Sequence, residues 1–387
     1  MIEHDIALAQ KLVAIPSVNP RLGDDPAIIG EHRLADFLSN YLNNLGFAVD
    51  RHEMTPGRPN LVASYGPQMP RKTFLFEAHL DTQGIHNMTV PPFAGILSNE
   101  GRLYGRGACD MKGPMASALS ALEPDRLARL AEAGVRVLFI GAIGEETGNI
   151  GATQLAGLGI GADEAIVLEP TDLNIVHAHK GVAWFEVECF GVAVHGSNPG
   201  LGINAIEGAA AWIAEMKSAL DALPLEHPSL GKPTLNIGRI RGGSSINIVP
   251  ERCVLEVDRR MVPGEKAEEI LDHARAIAER LVKHGLLRAA SIESIESGAP
   301  FETGVDSSLI RRLTEACRDE KTEPRVEGAS WYSDAGPLSK TCGQIAVFGP
   351  GSIRQAHTAD EYISVQELQT GTRILRRLLD RLAGEGT

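Results

Sequence analysis

The chain has 387 residues, a formal net charge of −13, and an ordinary globular composition with 43% hydrophobic and 22% charged residues. This length exceeds what one hydrophobic core usually organises, so we expect two domains, and the acidic balance argues against nucleic acid or a membrane as the main partner. We find no signal peptide and no apolar run of membrane-spanning length. Five widely spaced cysteines indicate a reducing compartment, so we expect a cytoplasmic protein without disulfides.

The first part of the chain alternates between helical and strand-like patterns. Apolar residues at helical spacing predict a helix over residues 26–45, which ends at Gly46, a residue favoured just after a helix. Further segments are predicted as strands at 47–51, 61–64 and 73–78 and as a helix at 112–122. Continuous apolar runs at 135–142 and 165–168 are typical of strands buried on both faces of a parallel sheet. We therefore expect an α/β fold with a mostly parallel sheet flanked by helices.

The pattern changes after residue 180. The next segments are predicted as strand, helix, strand, strand, helix and strand, at 183–190, 205–220, 234–241, 253–261, 266–284 and 289–295. This β-α-β-β-α-β order is typical of a small ferredoxin-like α+β domain. The pattern of the first part of the chain then returns, with a helix predicted at 307–317, a strand at 344–348 and a helix at 365–382. We predict an inserted domain over 180–293 that interrupts a catalytic domain of residues 1–179 and 294–387.

Six acidic and imidazole residues follow strand-like runs or lie in glycine-rich turns: His79, Asp110, Glu145, Glu146, Glu169 and His357. Ligands of an open α/β sheet bind just outside the carboxyl ends of its strands. Each residue taken singly could have a purely structural role, such as that of a helix-capping aspartate or a loop histidine. Two imidazoles and four carboxylates brought to one sheet edge instead predict a two-metal hydrolytic site.

The local arrangement suggests a role for several of these side chains. His79 and Asp81 are two residues apart at a strand end, so both leave the same face, and Asp81 is placed to orient a metal-bound imidazole. Asp110 either caps a helix or bridges two cations. Glu145 and Glu146 are adjacent carboxylates that repel each other unless a positive charge lies beside them. Because neighbouring residues point in different directions, one of the pair can bind metal while the other faces the reacting water.

The donor set favours two zinc ions, with cobalt or manganese as substitutes. Two such ions, roughly 3.5–4 Å apart, lower the pKa of a bridging water and polarise a carbonyl group. The sequence has no G-x-S-x-G elbow and no Walker loop, and we interpret Cys109 as a packing residue. Activated water is therefore the expected nucleophile.

Seven segments resemble motifs of the M20 family of metallopeptidases and deacylases, namely EAHLDT, GRGACDMKG, GEETG, LEPT, HGSNPGLGINAI, GGSSINIVPE and GPGSIRQAHTADEYI. They span nearly the whole chain in the order that the family has. The resemblance implies a zinc-exopeptidase-like α/β catalytic domain with two zinc ions and a cis peptide after Asp110. It also implies an inserted lid domain through which two copies form a homodimer.

The resemblance implies two ligand triads that share one carboxylate: His79, Asp110 and Glu169 for the first zinc, and Asp110, Glu146 and His357 for the second. Glu145 is implied as the general base that takes a proton from the bridging water and later delivers it to the leaving amine. Asp81 is implied to steady His79.

Residues of the inserted domain are implied to act on the substrate. His195 corresponds to the family histidine that reaches the partner subunit's site and hydrogen-bonds the oxyanion, a contact typically worth on the order of 3–4 kcal/mol. Asn247 and Arg260 match positions that contact polar groups or the carboxylate of the substrate, with Arg259 as the alternative register. Two glycines of the catalytic domain are expected to line the carboxylate pocket: Gly349 and Gly351.

The motifs indicate the type of reaction more specifically than they indicate the substrate. The GPGS-x-x-QAH-x-x-DEY tail is most similar to the acetylornithine deacetylase branch, and WYSDAGPL departs from the Gly-Gly-Thr-Ser type loop of the desuccinylases. We expect hydrolysis of a small N-acyl-L-amino acid, acetylornithine-like first. The alternatives are a succinyl-diaminopimelate desuccinylase, a broader aminoacylase, dipeptidase or carboxypeptidase, and a non-catalytic binding homologue. Asp334 either meets a cationic substrate side chain or has a structural role.

Overall fold

The computed structural model describes residues 3–384 of the chain. The chain forms two compact units, each composed of more than one segment. The first comprises Met1–His177, Glu302–Gly328 and Ser333–Thr387, and the second comprises Ala178–Phe301 and Ala329–Tyr332. Among the residues that are described, no helix is both long and apolar enough to cross a membrane.

The elements up to the first unit boundary are, in chain order, α1 (His4–Val13), α2 (His32–Asn44), β1 (Ala48–Thr55), β2 (Arg58–Tyr65), β3 (Lys72–His79), β4 (Ile96–Leu97), β5 (Arg102–Tyr104), α3 (Lys112–Ala121), α4 (Pro124–Glu132), β6 (Val135–Ala142), α5 (Ile150–Gly157), β7 (Glu164–Val167) and β8 (Ile175–His179). The later elements are β9 (Gly181–Phe190), α6 (Ala205–Asp221), β10 (Thr234–Gly242), β11 (Arg252–Met261), α7 (Ala267–Lys283), β12 (Ala289–Gly298), β13 (Phe301–Glu302), α8 (Ser308–Asp319), β14 (Val326–Ala329), α9 (Ala335–Leu338), β15 (Gln344–Val347), β16 (Tyr362–Ser364) and α10 (Val365–Gly384). Two short 3₁₀ turns cover Glu145–Thr147 and Pro199–Leu201.

The large sheet has the strand order β1-β2-β6-β3-β7-β15-β8-β13, with β14 paired to β8. Its four central strands, β6, β3, β7 and β15, are parallel, whereas β1 and β2 add an antiparallel edge. The predicted fold class, a mostly parallel sheet flanked by helices, is confirmed. Because the central strands are parallel, their carboxyl ends meet at the same edge of the sheet.

Burial of the central elements explains how this edge is positioned. Strand β3 buries six of its eight residues and β6 buries seven of eight, as their continuous apolar runs require between two helical layers. The register pairs His79 with Ala142, so both strands end at the same level. All ten residues of α3 are buried, and its small glycine, alanine and serine residues allow this close packing. The segment just before α3, which carries Asp110, is thereby held inside the unit.

The helix predicted over residues 26–45 begins only at His32. The preceding residues pair with another segment, where the amide of Val18 donates to the carbonyl of Ile28 and the amide of Gly30 donates to the carbonyl of Val18. These contacts satisfy backbone groups that a longer helix would otherwise use. The apolar periodicity of the segment is real, but tertiary pairing overrides it before His32.

The second unit contains a separate four-stranded antiparallel sheet, in the order β10-β11-β9-β12. Buried and less buried residues alternate along β9 and β11, which is the pattern of a sheet with one covered face. Its core includes Phe185 from β9, Trp212 from α6 and Ile277 from α7. The element order and the strand order together give the predicted ferredoxin-like arrangement, with β10 at one edge.

Candidate active site

The predicted metal ligands meet at the carboxyl edge of the large sheet. His79 is the last residue of β3, the Glu145–Glu146 turn follows β6, and Glu169 lies two residues beyond β7. The structure brings five of the six residues together as two overlapping triads: His79, Asp110 and Glu169, and Asp110, Glu146 and His357. Within each triad, one potential ligand atom per residue lies within 4.8 Å of the others. The two triads share the Asp110 carboxylate.

Asp110 lies between the two histidines. Its Oδ1 is 3.0 Å from Nε2 of His79, and its Oδ2 is 3.1 Å from Nε2 of His357, which is also 3.1 Å from Oε2 of Glu146. The Asp110 side chain does not cap α3, because Met111 is the N-cap residue and no side-chain cap is formed. Each oxygen of Asp110 therefore faces a different triad, as a bridging carboxylate requires. The Asp110–Met111 peptide is cis, as the resemblance implies.

Burial opposes ionisation of several carboxylates at this edge. Burial raises the pKa of Glu169 well above its usual range, and the nearby Asp110 carboxylate adds to the effect. The pKa of Glu145 is also raised well above its usual range, first by burial and then by Glu169 and Asp334. Asp110 is itself buried, but its hydrogen bonds with two imidazoles hold its pKa below the usual value. Burial opposes the charged form of His357, yet hydrogen bonds with two carboxylates raise its pKa to about 10. So many buried carboxylates in one place favour a cation.

The donor atoms at this edge fit a pair of divalent cations. Glu146 Oε1 is buried and has no hydrogen-bond partner among residues 3–384. A buried carboxylate oxygen without a partner is costly unless a cation completes its environment. Imidazole nitrogens combined with carboxylate oxygens form the type of donor set that zinc prefers.

Asp81 organises the turn that carries Glu145 and Glu146. Its Oδ1 accepts a hydrogen bond from the amide of Glu145 at 3.0 Å, and its Oδ2 accepts from the amide of Glu146 at 3.1 Å. The side-chain amide of Asn19 donates to Oδ2 at 2.7 Å. His79 Nδ1 is 3.0 Å from the carbonyl oxygen of Asp81 but 3.6 Å from its carboxylate. The backbone carbonyl is thus the nearer partner of the imidazole, while the carboxylate mainly holds the adjacent turn.

Glu361 is a structural element of the site that we did not predict from the sequence. Its buried carboxylate accepts hydrogen bonds from Arg106 Nη1 at 2.7 Å and from the amides of Gly107, Cys109 and Asp110 at 2.9–3.2 Å. These bonds fix the loop that presents the Asp110 side chain. The only signal was the position of this glutamate in the QAHTADEY tail, where it resembles any loop carboxylate.

Cys109 and Asp334 are both buried, and each forms a hydrogen bond within the first unit. Burial raises the pKa of the Cys109 thiol well above its usual range, and Sγ donates to the Ser352 carbonyl at 3.3 Å, in keeping with the packing interpretation. Asp334 is 1% exposed and accepts a hydrogen bond from Nδ2 of Asn149 at 2.9 Å. This burial favours the structural alternative for Asp334 over contact with a cationic substrate.

Gly349 and Gly351 lie in a buried turn next to the ligand-bearing segments. The amide of Gly349 donates to Oγ1 of Thr171, and the amide of Gly351 donates to Glu367. A Cβ atom at Gly349 would lie 2.7 Å from the carbonyl oxygen of Glu169, so the close approach of these backbones requires glycine. Their contact with a substrate carboxylate stays a prediction.

His195 and Asn247 are neighbours within the second unit. Both are exposed, and the amide of Gly196 donates to the carbonyl of Asn247 at 2.7 Å. His195 forms an isolated bridge with Ile248, and its Nδ1 is 2.7 Å from Oγ of Ser197. The two residues predicted to contact the substrate thus share one exposed corner of this unit.

Arg259 and Arg260 point in opposite directions from β11, as successive strand residues do. Arg259 is buried and pairs with Glu265. Arg260 is partly exposed, pairs with Asp258 at 2.9 Å and lies over the Trp184 ring at 5.9 Å from its centroid. Of the two arginines, Arg260 is the one that a ligand can reach.

Residues 75–381 match the family described as peptidase family M20/M25/M40. The chain belongs to this family. An acetylornithine deacetylase from Myxococcus xanthus is 31% identical over 362 residues, which cover 91% of this chain and 92% of that protein. A similar fold is seen in a tripeptidase from Staphylococcus aureus subsp. aureus mu50, with a TM-score of 0.80, 21% identity and 98% of each chain covered. A dinuclear metal binding peptidase of Bacillus subtilis gives a TM-score of 0.72 at 17% identity, again over 98% of each chain.

We predict that Glu361→Ala destabilises the first unit by about 3–5 kcal/mol, because the substitution leaves the charge of Arg106 buried without its partner. Because the loop carrying Asp110 loses its anchor, the variant should also bind an added divalent cation more weakly than the parent protein does. Urea unfolding and zinc titration would measure both effects. Glu100→Ala removes an exposed carboxylate and serves as the control. A Glu361→Ala protein as stable as this control would contradict the assignment.

Proposed function

We propose that this chain is a zinc-dependent hydrolase that cleaves the amide bond of a small N-acyl-L-amino acid, with an acetylornithine-like substrate preferred. The observation that carries the proposal is the pair of triads sharing Asp110, with the half-buried Glu145 in the adjoining turn. The similarity to an acetylornithine deacetylase over nearly the full length of both chains supports the choice of substrate. Family membership supports hydrolysis of an amide bond.

In this proposal, one zinc ion is held by His79, Asp110 and Glu169, and the other by Asp110, Glu146 and His357. When bound, the ions supply an activated water and polarise the carbonyl of the scissile amide. Cobalt or manganese can replace zinc in such donor sets. The similarity of the fold to that of a dinuclear metal binding peptidase is in keeping with two ions.

Glu145 belongs to neither triad and is the proposed general base. Burial and neighbouring carboxylates raise its pKa, so its carboxylate can hold a proton taken from the attacking water. The same carboxyl group then gives the proton to the nitrogen of the leaving amine. The hydrogen bond from the Glu145 amide to Asp81 fixes the backbone from which this side chain extends.

We further propose that two copies of the chain form a homodimer through the second unit, which would then serve as a lid. Strand β10 lies at the edge of its sheet, with the exposed apolar residues Ile240, Ile246 and Ile248 on it or just beyond it. An edge strand with exposed apolar neighbours is a ready site for pairing with another chain. By the family resemblance, His195 would then donate to the oxyanion at the partner subunit's site, and Asn247 and Arg260 would bind the polar groups of the substrate.

The first test is a panel of substrates assayed with the zinc-loaded protein. We expect N-acetylornithine to give the highest kcat/KM, ahead of N-succinyl-diaminopimelate, N-acetylmethionine and dipeptides. Chelation should abolish turnover, and added zinc should restore it. A preference for the succinyl compound or for dipeptides would identify one of the alternative activities. Failure to hydrolyse any amide when zinc is bound would indicate a binding homologue and contradict the proposal.

The second test concerns the base. Glu145→Gln should lower kcat by at least about 10²-fold, because a general base typically contributes 10²–10⁴-fold. Zinc content, measured by elemental analysis, should remain that of the parent protein, since Glu145 is not a proposed ligand. Glu100→Gln provides a matched exchange at an exposed position, where kcat should not change. A Glu145→Gln protein with near-normal kcat would rule out this residue as the base.

A third test asks whether His195 acts across the dimer. His195→Ala and Glu145→Gln should each be nearly inactive as homodimers. After the two variants are mixed and allowed to exchange subunits, one site of each hybrid dimer has both an intact Glu145 and a partner's His195. Random exchange should restore about a quarter of the parental activity, because half of the dimers are hybrids with one working site. No recovery in a sample with proven subunit exchange would contradict action in trans.

A further inference from the structure

Asn149 lies four residues after Glu145, and its side-chain amide is held between two carboxylates. Nδ2 of Asn149 is 3.3 Å from Oε1 of Glu145 and 2.9 Å from Oδ1 of Asp334. An amide nitrogen carries two hydrogens, so it can donate one to each acceptor. Asn149 is 4% exposed, so water is a poor competitor for these hydrogen bonds.

The two acceptors determine which way the amide faces. The oxygen of the Asn149 side chain would be repelled by either carboxylate, so the nitrogen must be the atom between them. Asp334 accepts the shorter of the two hydrogen bonds and is 1% exposed. Asp334 is therefore placed to orient the Asn149 amide toward Glu145.

Helix capping does not explain this asparagine. Asn149 is the N-cap residue of α5, where an asparagine side chain normally accepts a hydrogen bond from an amide of the first turn. No such side-chain cap is formed here. The backbone has a φ of 50° and a ψ of 36°, a left-handed conformation that asparagine tolerates better than most residues with a Cβ atom. The side chain is thus directed away from its usual capping role and toward the two carboxylates.

We infer that Asn149 is a positioning residue for the general base, and that Asp334 acts through Asn149. The hydrogen bond to Oε1 restrains the Glu145 carboxyl group and leaves Oε2 to exchange the proton with water and the leaving amine. This inference rests on the proposed function, because it takes Glu145 as the base. It also gives Asp334 a role in the reaction without contact with the substrate.

The test compares steady-state kinetics of Asn149→Gly with those of the parent. Glycine keeps the left-handed backbone and removes the side chain together with its amide group. We expect kcat to fall about 10- to 100-fold, the usual loss for one hydrogen bond to a charged group, with KM and zinc content unchanged. Lys321→Gly is the control, since Lys321 is exposed and has a φ of 59°, and its kcat should stay at the parental value.

Asp334→Asn provides the second variant. It removes the negative acceptor that orients Asn149, so kcat should again fall while KM and zinc content hold. The double variant should be no slower than Asn149→Gly alone, because both changes act through the same hydrogen bond. Multiplicative losses in the double variant, or an unchanged kcat in Asn149→Gly, would overturn the inference. A fall in kcat that tracks lost zinc or a lowered unfolding midpoint would overturn it as well.

The failure of this inference can be told apart from failure of the proposed function. If Glu145→Gln abolishes turnover and Asn149→Gly does not affect it, only the positioning role is wrong. If Glu145→Gln itself retains near-normal turnover, the base assignment fails and the role of Asn149 fails with it.

Discussion

Repulsion among buried carboxylates around Asp110 is the constraint on which the rest of the structure depends. Burial and like charges together raise the pKa values of Glu145 and Glu169, so holding these groups at one sheet edge is unfavourable without positive charge nearby. The imidazoles of His79 and His357 contact the two oxygens of Asp110 and supply part of the compensation. Two divalent cations, one in each triad, would supply far more positive charge. The arrangement is therefore unfavourable for a purely structural site and suited to a metal centre.

Two further carboxylates hold this edge in place through backbone amides rather than through the reacting groups. Asp81 accepts hydrogen bonds from the turn of Glu145 and Glu146, and Glu361 accepts them from the loop that presents Asp110. The amide hydrogen bonds favour the charged form of each carboxylate and fix the backbone around it, although burial still raises the pKa of Glu361 to about 7. Asp81 and Glu361 thus each fix one segment that carries ligand side chains, which limits the movement of one triad relative to the other.

Much of the fold could be predicted from local patterns. The apolar run of 135–142 gives a strand with those same bounds, because a central strand buried on both faces leaves a continuous signal. The ferredoxin-like order after residue 180 was equally clear from alternating periodicities. The late start of α2 was missed, because pairing with the segment around Val18 has no local signature. Glu361 was missed for a similar reason, since its partners near Asp110 are about 250 residues away in the chain. The proximity of His357 to Asp110 followed from the family resemblance and the sheet topology, and not from spacing.

The most direct test of the paired-cation account is anomalous diffraction at the zinc absorption edge, from crystals grown with zinc. The account predicts two peaks, one on each side of the Asp110 carboxylate, the first next to His79 and Glu169 and the second next to Glu146 and His357. A map with full zinc occupancy elsewhere and no paired peaks at Asp110 would contradict it.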